Sequence, residues 1–158
     1  MQLGSFFGPV VVSVGAWIAW RRWRPAVGAL VVGVMAWQLA KVVKHLIDRG
    51  RPADELDRIV QRNGTPIDGL GYVSGHNAVA FALATVLSPY LPRTGRFIAH
   101  GLAATVRIAR IRNAAHFPLD TVGGAALGLA LGFAYHLVVG IPADAAVFTE
   151  GHQVRPVN

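Results

Sequence analysis

The chain has 158 residues, enough for one domain, and is 53% hydrophobic but only 15% charged, whereas a soluble domain has about a quarter of its residues charged. It contains no cysteine, which excludes disulfides, a thiol nucleophile and a thiolate metal site. The net charge of +7 does not indicate nucleic acid, because the basic residues stand at the ends of apolar runs, as at membrane boundaries and phosphate sites.

The first part of the chain predicts two membrane-spanning helices. Residues 3–20 form an uncharged run of eighteen residues, close to the length that crosses a bilayer, and Arg21 and Arg22 end it. No basic segment precedes this run, so we interpret it as a retained span rather than a signal peptide. A second span is predicted from Pro25 to about Val43.

The longest polar segment runs from Lys44 to Gly75. Residues 52–60 predict a short amphipathic helix with acidic residues in its first turn, and Asn63-Gly64 and Asp68-Gly69 are typical of turns. We expect this segment to lie over a functional site as a cap.

Three further spans are predicted, at residues 76–91, 97–111 and 118–141, with a turn at Thr94-Gly95 between the first two of them. The fourth is the weakest, because it is short and carries His100 and Arg107. We place a membrane domain at residues 1–142 and a polar tail at 143–158. The predicted fold is therefore an all-α integral membrane bundle of about five transmembrane helices, with the short amphipathic helix between spans two and three.

Glycines recur at a spacing of four in the fifth span, at Gly124, Gly128 and Gly132. They share one face of a helix and predict close packing against another helix. We favour packing within the monomer over a dimer interface, and a homo-oligomer stays open.

The stretch from Arg110 to Asp120 combines a cation, an imidazole and a carboxylate. Arg110 can neutralise phosphate oxygens with a planar fork of donors. His116 can attack phosphorus, and Asp120, one helical turn on, is expected to accept a hydrogen bond from its other ring nitrogen. Pro118 suits the first turn of a helix, so this phosphoryl-transfer site is expected where a helix begins.

Topology brings other ionisable residues to the same side. Residues 44–52 follow span two, residues 74–76 precede span three, Arg110 ends span four, and residues 116–120 open span five. In a chain of five alternating spans, all of these lie at one membrane surface. Ionisable groups at span ends are functional candidates.

These residues form three motifs in order: Lys-x6-Arg-Pro, Ser-Gly-His and Arg-x5-His-x3-Asp. The pattern resembles the type 2 phosphatidic acid phosphatase superfamily, which includes lipid phosphate phosphatases and bacterial undecaprenyl pyrophosphate phosphatases. The resemblance covers about Lys41 to Gly132. It implies an enzyme that needs no metal or other cofactor, because its cations are built into the chain.

The resemblance also implies roles. His116 would be the nucleophile that forms a phosphohistidine, Asp120 would orient and polarise it, and His76 would protonate the leaving oxygen. The phosphate-binding residues would be Lys44, Arg51, Arg110, Ser74 and Gly75, the last two through backbone amides at a helix N-terminus.

The chain departs from the family pattern at two positions. Val73 replaces the usual proline before Ser-Gly-His, which should alter only the turn. Ala109 replaces the usual serine before Arg110, which removes one phosphate donor and about 0.5–1.5 kcal/mol of binding. Family members often have six spans, so the missing one would be the first.

Each assignment has a structural alternative. The phosphate-binding cations could be anchors at the membrane interface, and His76, His116 and Asp120 could ligate a metal, although no compact ligand motif supports this. We interpret Arg49, Arg107 and Arg112 as interface charges. Structural or surface roles are expected for His45, His100, His136 and His152.

The sequence therefore predicts a lipid phosphatase whose substrate is a phosphate or pyrophosphate monoester of a polyprenyl or phosphatidyl lipid. The alternative is a catalytically idle membrane module that binds lipid phosphates or partner proteins; a soluble phosphatase disagrees with the mean hydropathy of +0.44. Expected partners are the substrate and membrane lipids. The short loops opposite the motifs are basic, which favours a bacterial plasma membrane protein with an outward-facing site; their charges are Arg21, Arg22, Arg24, Arg93 and Arg96.

Overall fold

The computed structural model describes residues 7–52 and 69–141. Regular structure in these ranges is helical: α1 (Phe7–Trp20), α2 (Trp23–Ile47), α3 (Gly75–Leu87), a 3-10 turn (Ser88–Tyr90), α4 (Arg93–Arg112) and α5 (Pro118–Val139). The all-α prediction is confirmed for this part of the chain. The predicted amphipathic helix beyond residue 52 and the predicted tail at 143–158 lie outside the described residues.

Two of these helices, α2 and α5, are long and apolar enough to cross a membrane. The apolar helix α1 has 14 residues, α3 has 13, and α4 is rich in arginine. Two candidate spans are thus identified in the described ranges, and the count of five stays a prediction.

The start of α4 differs from the prediction. Thr94 and Gly95 were predicted to form a turn, but they lie inside the first turn of α4. Pro92 is extended and its carbonyl accepts the N–H of Arg96 at 3.0 Å, so the helix begins directly after the proline. The turn prediction was wrong because a single glycine costs a helix only about 1 kcal/mol, which the rest of a 20-residue helix outweighs.

The glycine face of α5 packs against α3. A Cβ atom on Gly132 would lie 2.5 Å from the Cβ of Thr85, and one on Gly128 would lie 2.8 Å from the amide nitrogen of Ala82. Such distances leave no room for a side chain, so the glycines let the two backbones approach closely. Packing within the monomer, the interpretation favoured from the sequence, is confirmed.

The other face of α3 packs against α2 through small and β-branched residues. The buried core they form is Ala29, Val32, Ala36, Ala40, Val73, Ala78, Val79, Ala82, Leu83 and Val86. Helix α1 packs on α2 in turn, with the hydroxyl of Ser13 donating to the carbonyl of Ala26 at 2.6 Å. Helix α3 therefore lies at the centre, between α2 and α5.

The two ends of the bundle differ in character. The ring of Trp20 lies 6.1 Å from the ring of Tyr90, which places the α1–α2 turn beside the α3–α4 connection. The opposite end carries the C-termini of α2 and α4 and the N-termini of α3 and α5. The residues singled out in the sequence lie at this second end.

Candidate active site

His116 lies in the short connection between α4 and α5 and is 3% exposed. Its Nδ1 atom is 2.9 Å from the carbonyl oxygen of Gly71. A carbonyl can only accept, so Nδ1 carries the proton in the neutral ring and Nε2 keeps its lone pair. The arrangement leaves the lone pair of Nε2 available to an electrophile.

Gly71 can hold this carbonyl in place only as a glycine. A Cβ atom at residue 71 would lie 2.5 Å from the carbonyl oxygen of Gly50. The N–H of Gly71 donates to the carbonyl of Arg49 at 2.7 Å, which fixes the peptide next to the end of α2. The orientation of His116 therefore depends on main-chain contacts far away in sequence.

Asp120 lies in the first turn of α5 and is fully buried. Its Oδ2 atom accepts the N–H of Phe117 at 2.8 Å and stands 3.6 Å from Nδ1 of His116, which is too long for a hydrogen bond. The hydrogen bond expected between the two side chains is therefore not the one observed. Asp120 acts on the ring as a nearby negative charge, while Gly71 accepts the proton.

Arg49 is the functional candidate that the sequence interpretation missed. It was assigned to the membrane interface, but its Nη2 atom forms an ion pair with Oδ1 of Asp120. Helix α2 ends at Ile47, and its C-cap residue, Asp48, adopts a left-handed conformation with φ of 47°, which changes the direction of the chain before Arg49. The only sequence signal was the position of Arg49 two residues before the motif residue Arg51.

The cations predicted to bind phosphate come together around the imidazoles. Lys44 donates to the carbonyl of Leu70 at 3.0 Å, and Arg51 donates through Nε to the carbonyl of Gly69 at 3.2 Å. Arg110 is 8% exposed, and its Nε atom has no hydrogen-bond partner among the described residues. A buried guanidinium donor without an acceptor suits an anionic ligand.

His76 lies in the first turn of α3 and is half-buried. Lys44, Arg51 and Arg110 are electrostatic neighbours of both His76 and His116. The structure thus brings the two predicted imidazoles to one cationic pocket at one end of the bundle.

The N-terminus of α3 is aimed at the same region. The N–H of Ser74 donates to the main-chain carbonyl of Asp120 at 2.9 Å, which ties the start of α3 to the start of α5. The hydroxyl of Ser74 is buried and has no partner in the described ranges. The first-turn N–H groups of Gly75 and His76 have no acceptor within the helix, so they can donate to an anion.

The electrostatics of the pocket keep His116 neutral. The pKa of His116 is lowered from 6.5 to about 3, first by burial and then by the charges of Lys44, Arg110 and Arg51, against the opposing hydrogen bond to Gly71. A neutral imidazole with a free Nε2 lone pair is a nucleophile. Within the described ranges, no group of three or more His, Asp and Glu side chains could hold a metal ion.

The remaining basic residues separate into two groups. Arg112 is exposed, as expected for an interface charge, whereas Arg107 is half-buried and donates to the hydroxyl of Thr121 at 3.1 Å. His100 bonds the carbonyl of Arg96, His136 bonds the carbonyl of Thr85, and His45 is exposed. His152 lies outside the described residues.

Comparisons with known proteins agree with this geometry. The sequence model of the PAP2 superfamily matches residues 19–141. Phosphatidylglycerophosphatase B of Bacillus subtilis (strain 168) is 30% identical in an alignment of 141 positions that covers 82% of this chain and 66% of that protein. The chain therefore spans slightly less than two thirds of the length of that relative.

A solved structure shows the same relationship. The crystal structure described as the first transmembrane PAP2 type phosphatidylglycerolphosphate phosphatase from Bacillus subtilis matches with a TM-score of 0.64 at 26% sequence identity. The match covers 85% of this chain and 69% of that chain.

Proposed function

Because the chain belongs to the PAP2 superfamily, we propose that it is an integral membrane phosphatase that hydrolyses a phosphate or pyrophosphate monoester of a lipid. The observation that carries the proposal is the buried, neutral imidazole of His116, with Nε2 free beside three basic side chains. Lys44, Arg51 and Arg110 supply the positive charge that a phosphate needs.

The proposed reaction has two steps. The Nε2 lone pair of His116 attacks phosphorus, the bond from phosphorus to the leaving oxygen breaks, and His76, in its protonated form, gives that oxygen a proton. Neutral His76 then takes a proton from water as the water oxygen attacks the phosphohistidine. The N–P bond breaks, inorganic phosphate leaves, and both histidines return to their starting states.

The surroundings of His116 suit the intermediate. With Nδ1–H held by Gly71 and phosphorus on Nε2, the ring carries a positive charge. The carboxylate of Asp120, 3.6 Å from Nδ1, stabilises that charge. The cationic side chains and the N-terminus of α3 stabilise the phosphoryl oxygens, so the proposed steps use positive charge from the chain itself.

The chemistry of the pocket does not select one lipid. The matched relative is named as a phosphatidylglycerophosphatase, which makes phosphatidylglycerophosphate one candidate substrate. Phosphatidate and polyprenyl pyrophosphate present similar head groups. We propose a bacterial plasma membrane location with an outward-facing site, supported by the apolar helices α2 and α5 and by the basic loops at the other end.

The test is phosphate release by the purified protein in detergent with a chelator of divalent ions. We expect His116→Ala to abolish release, and His45→Ala, at an exposed histidine of α2, to retain it. A phosphorylated enzyme that is stable in alkali and labile in acid should form in the wild type. Unchanged turnover in His116→Ala would disprove the assignment of the nucleophile.

The second candidate, an idle membrane module, is favoured by one observation. Ala109 precedes Arg110 and offers no hydroxyl to a phosphate. That function predicts no phosphate release from phosphatidylglycerophosphate, phosphatidate or polyprenyl pyrophosphate, with binding of vesicles containing these lipids retained. Release from any of them removes this alternative.

A further inference from the structure

The carboxylate of Asp120 is fully buried, and both of its oxygens are engaged. Oδ1 pairs with Arg49, and Oδ2 accepts the N–H of Phe117 at 2.8 Å. A buried carboxylate without a cation is strongly destabilised. Arg49 is therefore the partner that lets Asp120 stay ionised beside His116.

Arg49 is itself fixed by both segments that surround the histidine. Its carbonyl oxygen accepts the N–H of Gly71, the residue whose own carbonyl holds His116. Its guanidinium carbon lies 5.4 Å from the ring centre of Tyr72 and 5.2 Å from that of Phe117. Both distances are within the range of cation–π attraction.

The environment of Arg49 differs from that of the cations assigned to phosphate. Its charge is offset by Asp120, and its Nη2 atom is committed to that carboxylate. Arg110, by contrast, forms no ion pair with a carboxylate within the described ranges, although the Nε atoms of both arginines are buried there without a hydrogen-bond partner. The two arginines lie near the same histidine but face different groups.

We propose that Arg49 is a positioning residue, which holds the Asp120 carboxylate at the start of α5 and thereby aligns His116, without binding the phosphate itself. The proposal rests on the function proposed above, since alignment of His116 affects turnover only in a phosphatase. It predicts a loss in kcat rather than a rise in KM.

The kinetic test compares variants of Arg49 with a matched control. Because a small displacement of reacting groups costs up to about 100-fold, we expect Arg49→Gln to lower kcat by about that factor with KM near the wild-type value. Arg49→Lys keeps the positive charge but loses the planar guanidinium, so its kcat should lie between those of Arg49→Gln and the wild type. Arg112→Gln, at an exposed arginine, should match the wild type. A raised KM at unchanged kcat, or wild-type kinetics in Arg49→Gln, would overturn the proposal.

A double-mutant cycle tests whether Arg49 acts through Asp120. In an Asp120→Asn background the carboxylate charge is gone, so Arg49→Gln should cost little further in kcat. Losses that multiply independently would mean that Arg49 acts by another route, and would contradict the proposal.

An NMR titration of the His116 ring tests the pair without any substrate. In Arg49→Gln the positive charge that offsets Asp120 is gone, so protons bind the pair formed by Asp120 and His116, 3.6 Å apart, more readily, and the apparent pKa followed at the His116 ring should rise above its wild-type value. The other charges that face the ring, those of Lys44, Arg51 and Arg110, are unchanged. Adding Asp120→Asn should remove the rise.

The two kinds of measurement fail separately. If the wild type releases no phosphate from any lipid, the proposed function is wrong, and the titration still decides whether Arg49 controls the charge beside His116. If the wild type is active and the pKa of His116 is the same in Arg49→Gln and Arg49→Lys, the positioning proposal is wrong.

Discussion

The Nδ1 atom of His116 lies 2.9 Å from the carbonyl oxygen of Gly71. The tautomer of the histidine is therefore set by the main chain, and Asp120 contributes charge rather than the hydrogen bond. This division means that replacing the carboxylate alone leaves the free nitrogen of the ring in place.

Gly71→Ala should disrupt the site, although it adds only a methyl group and changes no charged or polar side chain. A Cβ atom there would lie 2.5 Å from the carbonyl oxygen of Gly50, so the peptide that holds His116 must move. We expect kcat to fall by about 100-fold, because misalignment of reacting groups has effects of that size. Gly101→Ala, where nothing lies within 4 Å of the added atom, is the matched control for phosphate release. Equal rates in the two variants would contradict this role of Gly71.

Lys44→Gln should raise the pKa of His116. Among the neighbouring charges that hold this pKa down at about 3, that of Lys44 is the largest. NMR titration of the ring should show the increase, and Lys41→Gln, whose ammonium stacks on Trp37 instead, should show none. A pKa that stays the same or falls in Lys44→Gln would contradict the electrostatic account of the pocket.

The lowered pKa of His116 makes the free energy of unfolding depend on pH. The pKa of His116 is lower in the folded chain than its ordinary value of 6.5, so protons bind the unfolded state more readily between 6.5 and about 3. The contribution of His116 to stability is complete above 6.5 and falls as the pH drops toward 3. In Lys44→Gln the midpoint of thermal unfolding in detergent should change less with pH, because the pKa values of His116 in the folded and unfolded chain are closer together.

Arg110→Ala should weaken substrate binding. A hydrogen bond to a charged group contributes about 1.5–3 kcal/mol, so we expect kcat/KM to fall by roughly 10–100-fold. Inhibition by inorganic phosphate should weaken in parallel. Arg112→Ala, at the exposed end of α4, is the control, and similar losses in both variants would indicate a general charge effect.

Gly128→Ala should destabilise the bundle. The added atom would lie 2.8 Å from the amide nitrogen of Ala82, so α3 and α5 must separate, at a cost of about 1–3 kcal/mol. The midpoint of thermal unfolding in detergent should fall. Gly15→Ala in α1, where the new methyl group meets nothing within 4 Å, should not lower it. An unchanged midpoint in Gly128→Ala would contradict this prediction, because it would mean that α3 and α5 accommodate the methyl group without loss of stability.

Much of the architecture could be predicted from the sequence. Charges at the ends of apolar runs indicated which helix ends meet, and the structure brings Lys44, His76 and Arg110 to one pocket. The glycines of α5 indicated a close helix contact, because a stripe of residues without side chains has few other uses in a buried face. The start of α4 was misplaced because Thr94-Gly95 also suits a turn.

The main-chain parts of the site could not be predicted. A carbonyl such as that of Gly71 belongs to every residue, so no side-chain pattern marks it as the acceptor for His116. Arg49 and Asp120 are 71 residues apart, and their pairing depends on the direction in which the chain leaves α2 at Asp48. Only coordinates give that direction.

Hydrogen bonds hold together the two ends of the connection between residues 52 and 69. The N–H of Gly71 donates to the carbonyl of Arg49, and the side chains of Lys44 and Arg51 donate to the carbonyls of Leu70 and Gly69. These bonds join the residues on either side of the connection. Doubling the length of a flexible loop costs only about 0.6 kcal/mol once its ends are held. An insertion between residues 52 and 69 is therefore expected to change the free energy of unfolding little, because the hydrogen bonds that hold its two ends together remain.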